Sequence, residues 1–211
     1  MEQASNVKKK PTSLSDFLRV TFKGILDPIA MFLNRLGLYP NTVTILGLVG
    51  NIIGAAFIAT GNMTIGGIIV LVMGPVDALD GTMARLRGMS SQFGAFVDSV
   101  TDRYSEIIIL GGVFIYFMQQ QDWLSCLLVY LAVSGSVLVS YVKARAEGVG
   151  YKANVGMLTR VERYLVLAPC LVISQPQIAM WIIAILANFT ALQRIWHVRR
   201  QAYEAMKQSS K

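Results

Sequence analysis

The sequence predicts an all-α integral membrane protein with six transmembrane helices and an N-terminal interfacial amphipathic helix. Three observations predict it. Only 15% of the 211 residues are charged and 54% are hydrophobic, against about 25% charged in an ordinary soluble domain. The mean hydropathy is +0.53, and apolar runs follow one another almost end to end. Finally, the Lys and Arg residues alternate along the chain as a six-span topology requires.

The chain opens with MEQASNVKKK. No apolar stretch follows those charges closely enough to read as a cleavable signal peptide, so residues 1–12 read as a basic, mobile tail. In residues 13–38, Phe17, Val20, Phe22, Ile25 and Leu26 spread over a broad apolar face, with Arg19 and Lys23 on the other side. This predicts an interfacial helix or pair of helices, interrupted near Pro28.

A bilayer span needs roughly 17–25 predominantly apolar residues. Six runs qualify: about 42–60, 64–84, 92–118, 123–145, 160–175 and 177–196. The fifth is short, and the second and third carry acids. The 19 Lys and Arg fall in four groups. The first precedes span one (Lys8, Lys9, Lys10, Arg19, Lys23, Arg35). The second surrounds the connection between spans two and three (Arg85, Arg87, Arg103). The third surrounds that between spans four and five (Lys143, Arg145, Lys152, Arg160, Arg163). The fourth lies at the end of span six and beyond (Arg194, Arg199, Arg200, Lys207, Lys211). The connections GNMT, QQQD and SQPQ hold none. This is the positive-inside pattern for six spans with both termini cytoplasmic; five or seven spans would put the C-terminal cations outside. The division is thus a tail and interfacial helix at 1–38, a six-span domain at 39–200 and a polar cytoplasmic tail at 201–211, in the plasma membrane.

The net charge of +7 belongs to this cytoplasmic rim and suits anionic headgroups and phosphorylated substrates. Nothing interleaves aromatic and basic residues as a nucleic-acid surface does, so no nucleic-acid partner is expected. Cys126 and Cys170 lie in apolar runs without metal-ligand spacing and read as small buried hydrophobes. His197 is the lone histidine, so chemistry must come from carboxylates, bases or hydroxyls.

The carboxylates are in VDALDGTMARLRGMSSQFGAFVDSVTDRYSE, residues 76–106. Asp77 and Asp80 are three apart; Asp98 and Asp102 are four apart. Each pair shares a helix face. The short polar link predicts that the two helices are antiparallel neighbours, with the four acids converging near their cytoplasmic ends. One Asp at the centre of a membrane helix costs about 2.5–3.5 kcal/mol on insertion scales, and neighbouring carboxylates repel. A bound divalent cation offsets both. Oxygen-only ligands favour a hard ion, Mg²⁺ or Mn²⁺, and four carboxylates can hold two such ions. Gly81 and Gly94 fall on the acidic faces, where a missing Cβ permits close approach of a ligand or a partner helix. Ala84 continues one face, and the Arg85 fork suits a phosphate oxygen.

The spacing D-x2-D-G-x2-A-R-x8-G-x3-D-x3-D is filled by Asp77, Asp80, Gly81, Ala84, Arg85, Gly94, Asp98 and Asp102. It resembles the motif of the CDP-alcohol phosphotransferase family at every position, and the six-span reading agrees with that family. The resemblance implies a homodimeric helical enzyme opening to the cytoplasm. It implies a CDP-diacylglycerol or related donor and two metal ions on Asp77, Asp80, Asp98 and Asp102. CMP is then released by direct displacement. In that scheme Asp102 is the general base, and Gly81, Ala84 and Arg85, with Asp80, line the nucleotide pocket. Pro75 either opens that pocket or is an ordinary kink. Pro40 to Thr44, P-N-T-V-T, resembles the family's start of span one; Asn41 there is either a donor-phosphate contact or a helix N-cap.

The stretches SYVKARAEG (140–148) and DSVTDRYSE are similar to phosphatidylinositol-phosphate synthases. That similarity implies a small phosphorylated polyol, inositol 1-phosphate, as acceptor, held by Ser140, Lys143 and Arg163 and joined by Arg194. Glu106 either helps position Asp102 or pairs with Arg103. The span-five start departs from that subfamily at Val161, where a proline is expected. A glycerol 3-phosphate acceptor needs the same cations, so a phosphatidylglycerophosphate synthase is the enzymatic alternative. A divalent-cation transporter is the non-enzymatic one; the near absence of ionisable residues in the outward half of the chain opposes it.

Overall fold

The structure, a computed structural model, describes residues 14–89 and 91–209, with side chains for all of these except 14–20, 22, 23 and 209. The basic tail expected over residues 1–12 lies outside them. The described residues form seven helices: α1 (Leu14–Arg35), α2 (Pro40–Ala59), α3 (Met63–Leu86), α4 (Gln92–Gln119), α5 (Trp123–Gly148), α6 (Arg160–Val172) and α7 (Pro176–Ser209). No strand occurs among the described residues.

Helices α2, α3, α5 and α7 are each long and apolar enough to cross a membrane, and less than half of each apolar window is buried inside the protein. Large apolar side chains such as Ile45, Ile53, Leu127, Ile185 and Phe189 face outward instead, as they do where lipid is the solvent. α4 has the length to span, but carries Asp98, Asp102, Arg103 and Glu106 within it. α6 has 13 residues, which at about 1.5 Å per residue is roughly 20 Å, short of a bilayer core. The fifth run therefore contains a shorter helix than expected. The stretch before it, residues 151–159, is non-helical and leans on α7: the Leu158 amide donates to Thr190 Oγ1 at 3.1 Å, and Gln201 Nε2 donates to the Lys152 carbonyl at 2.6 Å. Over its described part, residues 201–209, the expected polar tail is helical and continues α7.

The expected break near Pro28 is absent. α1 runs unbroken through Pro28; the residue one turn before it, Gly24, has no Cβ and open space around it. Ala30 is fully buried against Val43, Leu79 and Met83, in a small core that joins α1 to α2 and α3. On its other side Ile25, Ile29, Phe32 and Leu36 are exposed, at a spacing that makes one helical stripe.

The main core is continuous across α2 to α7, from Ile58 and Val70 through Leu110 and Val129 to Leu171 and Met180. α2 is its axis. It packs against both α3 and α4, whereas α3 and α4 have little contact with each other. This corrects the expectation that the two acidic helices are direct neighbours: α2 fills the interval that like charges would make costly to close. Close approach is made possible by small residues, since a Cβ on Gly66 would come within 2.6 Å of the Gly54 carbonyl.

The helix ends follow one rule. After α2, α4 and α6 the chain turns through three residues, with Gly61 (φ 86), Gln121 (φ 57) and Ser174 (φ 56) left-handed at the centre. In each, the next amide reaches back to a carbonyl of the preceding helix: Asn62 to Phe57, Asp122 to Phe117, Gln175 to Cys170. These are Schellman closures, which satisfy carbonyls that a helix end would leave bare. The three cation-free connections of the sequence are these three turns.

Candidate active site

The acids lie at the opposite end from those turns. Asp77 and Asp80 project from the last turns of α3, and Asp98 and Asp102 from the first turns of α4, where Ser91 caps the helix by accepting the Gly94 amide at 2.9 Å. Asp80 and Asp102 each lie within electrostatic reach of both Asp77 and Asp98. The four therefore act as one charged set, as the motif spacing predicts.

They are not gathered into one coordination shell. Among the described residues, no three His, Cys, Asp or Glu side chains converge closely enough to ligate one ion. A guanidinium stands between them: Arg160 Nη2 is 2.5 Å from Asp77 Oδ2 and 2.6 Å from Asp102 Oδ1. Arg103 Nη1 is 3.5 Å from the other Asp102 oxygen. Asp80 is held separately. Thr44 Oγ1, from α2, donates to Asp80 Oδ2 at 2.5 Å, and the Gly81 amide donates to Oδ1. Gly47 lets α2 pass this point, since a Cβ there would lie 2.9 Å from Asp77 Oδ1.

This donor set fits a hard divalent cation. It is all carboxylate oxygen, on two helices, and two of its members already hold a positive charge between them. Asp77, Asp80, Asp98 and Asp102 are the groups that could ligate one.

Packing does not require a glycine at position 81. A Cβ there would meet only Arg85 Nη1, at 3.7 Å. Arg85 is exposed and donates to Thr82 Oγ1 at 2.8 Å; Ala84 is half-buried beside it. Asn41 is exposed in the first turn of α2, and Tyr39 takes the N-cap position, so the N-cap reading of Asn41 does not hold.

The four residues expected around the acceptor phosphate separate into two pairs. Ser140 lines a surface groove of about 270 Å³ between α4 and α5, with Arg103, Tyr104 and Tyr141 among its walls. Lys143 is half-exposed, 3.8 Å from Glu147. Arg163, by contrast, is only 2% exposed. Its Nε and Nη2 donate to the two Glu106 oxygens at 2.6 and 2.9 Å, and its Nη1 to the Leu158 carbonyl. Arg194 is buried too, donating to the Val155 and Val139 carbonyls at 2.8 and 2.6 Å. Protein acceptors thus engage Arg163 and Arg194, while Ser140 and Lys143 lie nearer the surface. Of the groups around Glu106, Arg163 makes the hydrogen-bonded ion pair, and Arg103 lies within its electrostatic reach.

Sequence reading missed Thr44 and Arg160. Thr44 was visible as a hydroxyl inside an apolar run, four residues after Pro40. Arg160 was counted with the cytoplasmic rim, and nothing in local spacing ties it to an acid 83 residues away.

Four helices long and apolar enough to cross a membrane, with a set of four carboxylates at one end, describe a membrane protein with an acidic site. The sequence model of the CDP-alcohol phosphatidyltransferase family matches residues 37–192, and the chain belongs to that family. The chain is 36% identical to a phosphatidylinositol phosphate synthase of Streptomyces avermitilis over 209 residues, covering 91% of this chain and 85% of the relative. It is 33% identical to an archaetidylinositol phosphate synthase of Pyrococcus horikoshii over 186 residues, covering 87% and 96%. Among solved structures it is similar to the Mycobacterium tuberculosis phosphatidylinositol phosphate synthase with CDP-DAG bound, with TM-score 0.78 and 31% identity over 82% of this chain and 93% of that one. A second structure of that enzyme, in complex with manganese and citrate, aligns with the same TM-score over 82% and 88%.

Proposed function

We propose that this enzyme transfers a phosphatidyl group from CDP-diacylglycerol, or a related CDP-lipid, to the hydroxyl of inositol 1-phosphate and releases CMP. The observation that carries the reading is the acid set, four carboxylates at one end of a lipid-facing bundle with a cation already lodged between two of them. The similarity to inositol phosphate-using synthases over nine-tenths of the chain supports the acceptor.

Two ions, Mg²⁺ or Mn²⁺, held by Asp77, Asp80, Asp98 and Asp102, would supply Lewis-acid stabilisation of the donor's diphosphate. The chain's own groups do the rest. Thr44 and the Gly81 amide fix Asp80, so its direction does not depend on ligand. Gly81, Ala84 and Arg85 form the open face on which the nucleotide lies, with Asn41 reaching the donor phosphates from α2. Asp102 takes the acceptor hydroxyl proton once Arg160 yields its oxygen. Ser140 and Lys143 meet the acceptor phosphate. Arg194, hydrogen-bonded to the Val155 and Val139 carbonyls, places its positive charge behind them, and the Arg163–Glu106 pair fixes α6 against α4.

The same reading has six spans, with α4 and α6 joining the four apolar ones, both termini and the site in the cytoplasm, and the protein a homodimer in the plasma membrane. The exposed stripe Ile25, Ile29, Phe32 and Leu36 supports α1 as an interfacial helix resting on the membrane surface.

The test is CMP release by purified protein with CDP-diacylglycerol and Mg²⁺, comparing inositol 1-phosphate, glycerol 3-phosphate, inositol and serine. Release with inositol 1-phosphate alone is expected. Release with glycerol 3-phosphate instead would keep the chemistry and overturn the acceptor.

A further inference from the structure

Three side chains of the first turns of α6 reach across to neighbouring helices. Two meet acids: Arg160 meets Asp77 and Asp102, and Arg163 meets Glu106. The third, Tyr164, goes to the backbone of α3. Its hydroxyl lies 2.8 Å from the carbonyl oxygens of both Val70 and Leu71, and accepts the Gly74 amide at 3.1 Å.

The place is chemically distinctive. In a regular helix the Leu71 carbonyl takes the amide of residue 75. Residue 75 is proline, which has no N–H and whose ring crowds the preceding turn. A phenol has one proton and two acceptor lone pairs, so this one hydroxyl can supply the missing donor and receive the Gly74 N–H together. Gly74 makes the approach possible, because a Cβ there would collide with the ring Cζ and the hydroxyl oxygen. Gly74, Pro75 and Tyr164 therefore form one device, and Asp77 begins two residues beyond it.

We propose that Tyr164 is a positioning residue for the reaction: its hydroxyl closes the hydrogen-bond gap that Pro75 opens in α3, and so sets the direction of the half-helix that carries Asp77 and Asp80. The inference rests on the reading of those two acids as metal ligands. Arg160, one turn earlier on α6, grips Asp77 itself, so α6 holds α3 both at the proline and at the acid. Without the hydroxyl the ring still packs, but the last three turns of α3 lose their fixed angle.

The experiment compares wild type, Tyr164→Phe, Pro75→Ala and the double variant, as full-length protein in lipid nanodiscs. Two quantities are read: Mn²⁺ affinity by electron paramagnetic resonance, and amide hydrogen exchange over residues 70–78. Tyr164→Phe is expected to weaken Mn²⁺ binding about tenfold, the equivalent of one lost hydrogen bond, and to speed exchange at Gly74. Pro75→Ala restores an N–H for Leu71, so adding it to Tyr164→Phe should recover most of the affinity. A packing role for the ring predicts neither the loss nor the rescue. Unchanged exchange in Tyr164→Phe, or a double variant as weak as Tyr164→Phe alone, would overturn the proposal. If wild type bound no Mn²⁺, the metal reading of the acids would fail, and the exchange arm would still decide whether the hydroxyl holds α3.

Discussion

Removing Glu106 isolates a buried positive charge. Arg163 is 2% exposed, and all three of its side-chain nitrogens have protein acceptors, two of them supplied by the Glu106 carboxylate. Glu106→Leu leaves Arg163 with the Leu158 carbonyl and no counter-charge. Breaking one partner out of such a pair costs about 3–5 kcal/mol, because the remaining charge keeps its desolvation penalty. For a chain of this size, at roughly 2–4 °C per kcal/mol, the melting temperature should fall by about 6–20 °C. Glu106→Gln retains an amide oxygen as acceptor and should fall less. The double variant Glu106→Leu/Arg163→Met removes both charges and fills similar volume, so it should return to within about 1–2 kcal/mol of wild type. Thermal unfolding in one detergent, followed by intrinsic fluorescence, measures all four proteins. The reasoning fails if Glu106→Leu melts within about 2 °C of wild type, or if the double variant is no more stable than the single one.

Three further outcomes are expected. Asp98→Asn and Asp102→Asn should each reduce CMP release at least about 100-fold, within the range of a lost general base, while the melting temperature holds; full turnover in either would remove it from the reaction. Arg160→Gln should tighten Mn²⁺ binding about tenfold or more, since two charge-assisted hydrogen bonds no longer compete for the Asp77 and Asp102 oxygens; a Mn²⁺ titration that showed weaker binding would contradict Arg160 as a competitor. Lys143→Ala should raise the KM for the phosphorylated acceptor several-fold more than that for the CDP-lipid, and an unchanged acceptor KM would take Lys143 out of the pocket.

The acid set was legible because its geometry is local. A spacing of three or four residues puts two carboxylates on one helix face whatever the rest of the chain does, and eight fixed residues, Asp77 to Asp102, define the motif. Helix starts were legible because apolar length is constrained by lipid thickness: every run begins within two residues of a helix, though α7 continues well past the end of its run. The misses share a cause. Arg160 with Asp77, Arg163 with Glu106, and Tyr164 with Gly74 are separated by 83, 57 and 90 residues, and only the packing of α6 joins them. The same holds for α2, whose position between α3 and α4 no pattern in residues 76–106 could express. Pro28 was misread for a local reason, since a proline ends a helix only when its missing bond and its ring are not accommodated.

The three-residue turns leave no slack. α2 with α3, α4 with α5, and α6 with α7 are thereby fastened as three hairpins, which pack on one another through α2 with α4, α3 with α6 and α5 with α7. Asp77 and Asp80 belong to the first hairpin, Asp98 and Asp102 to the second, and Arg160 to the third. Because each hairpin packs on its neighbours through the common core, none can shift alone. The acids and their arginine are therefore held by the whole bundle and not by any one helix, and a disturbance of one hairpin's packing is felt at the reaction centre.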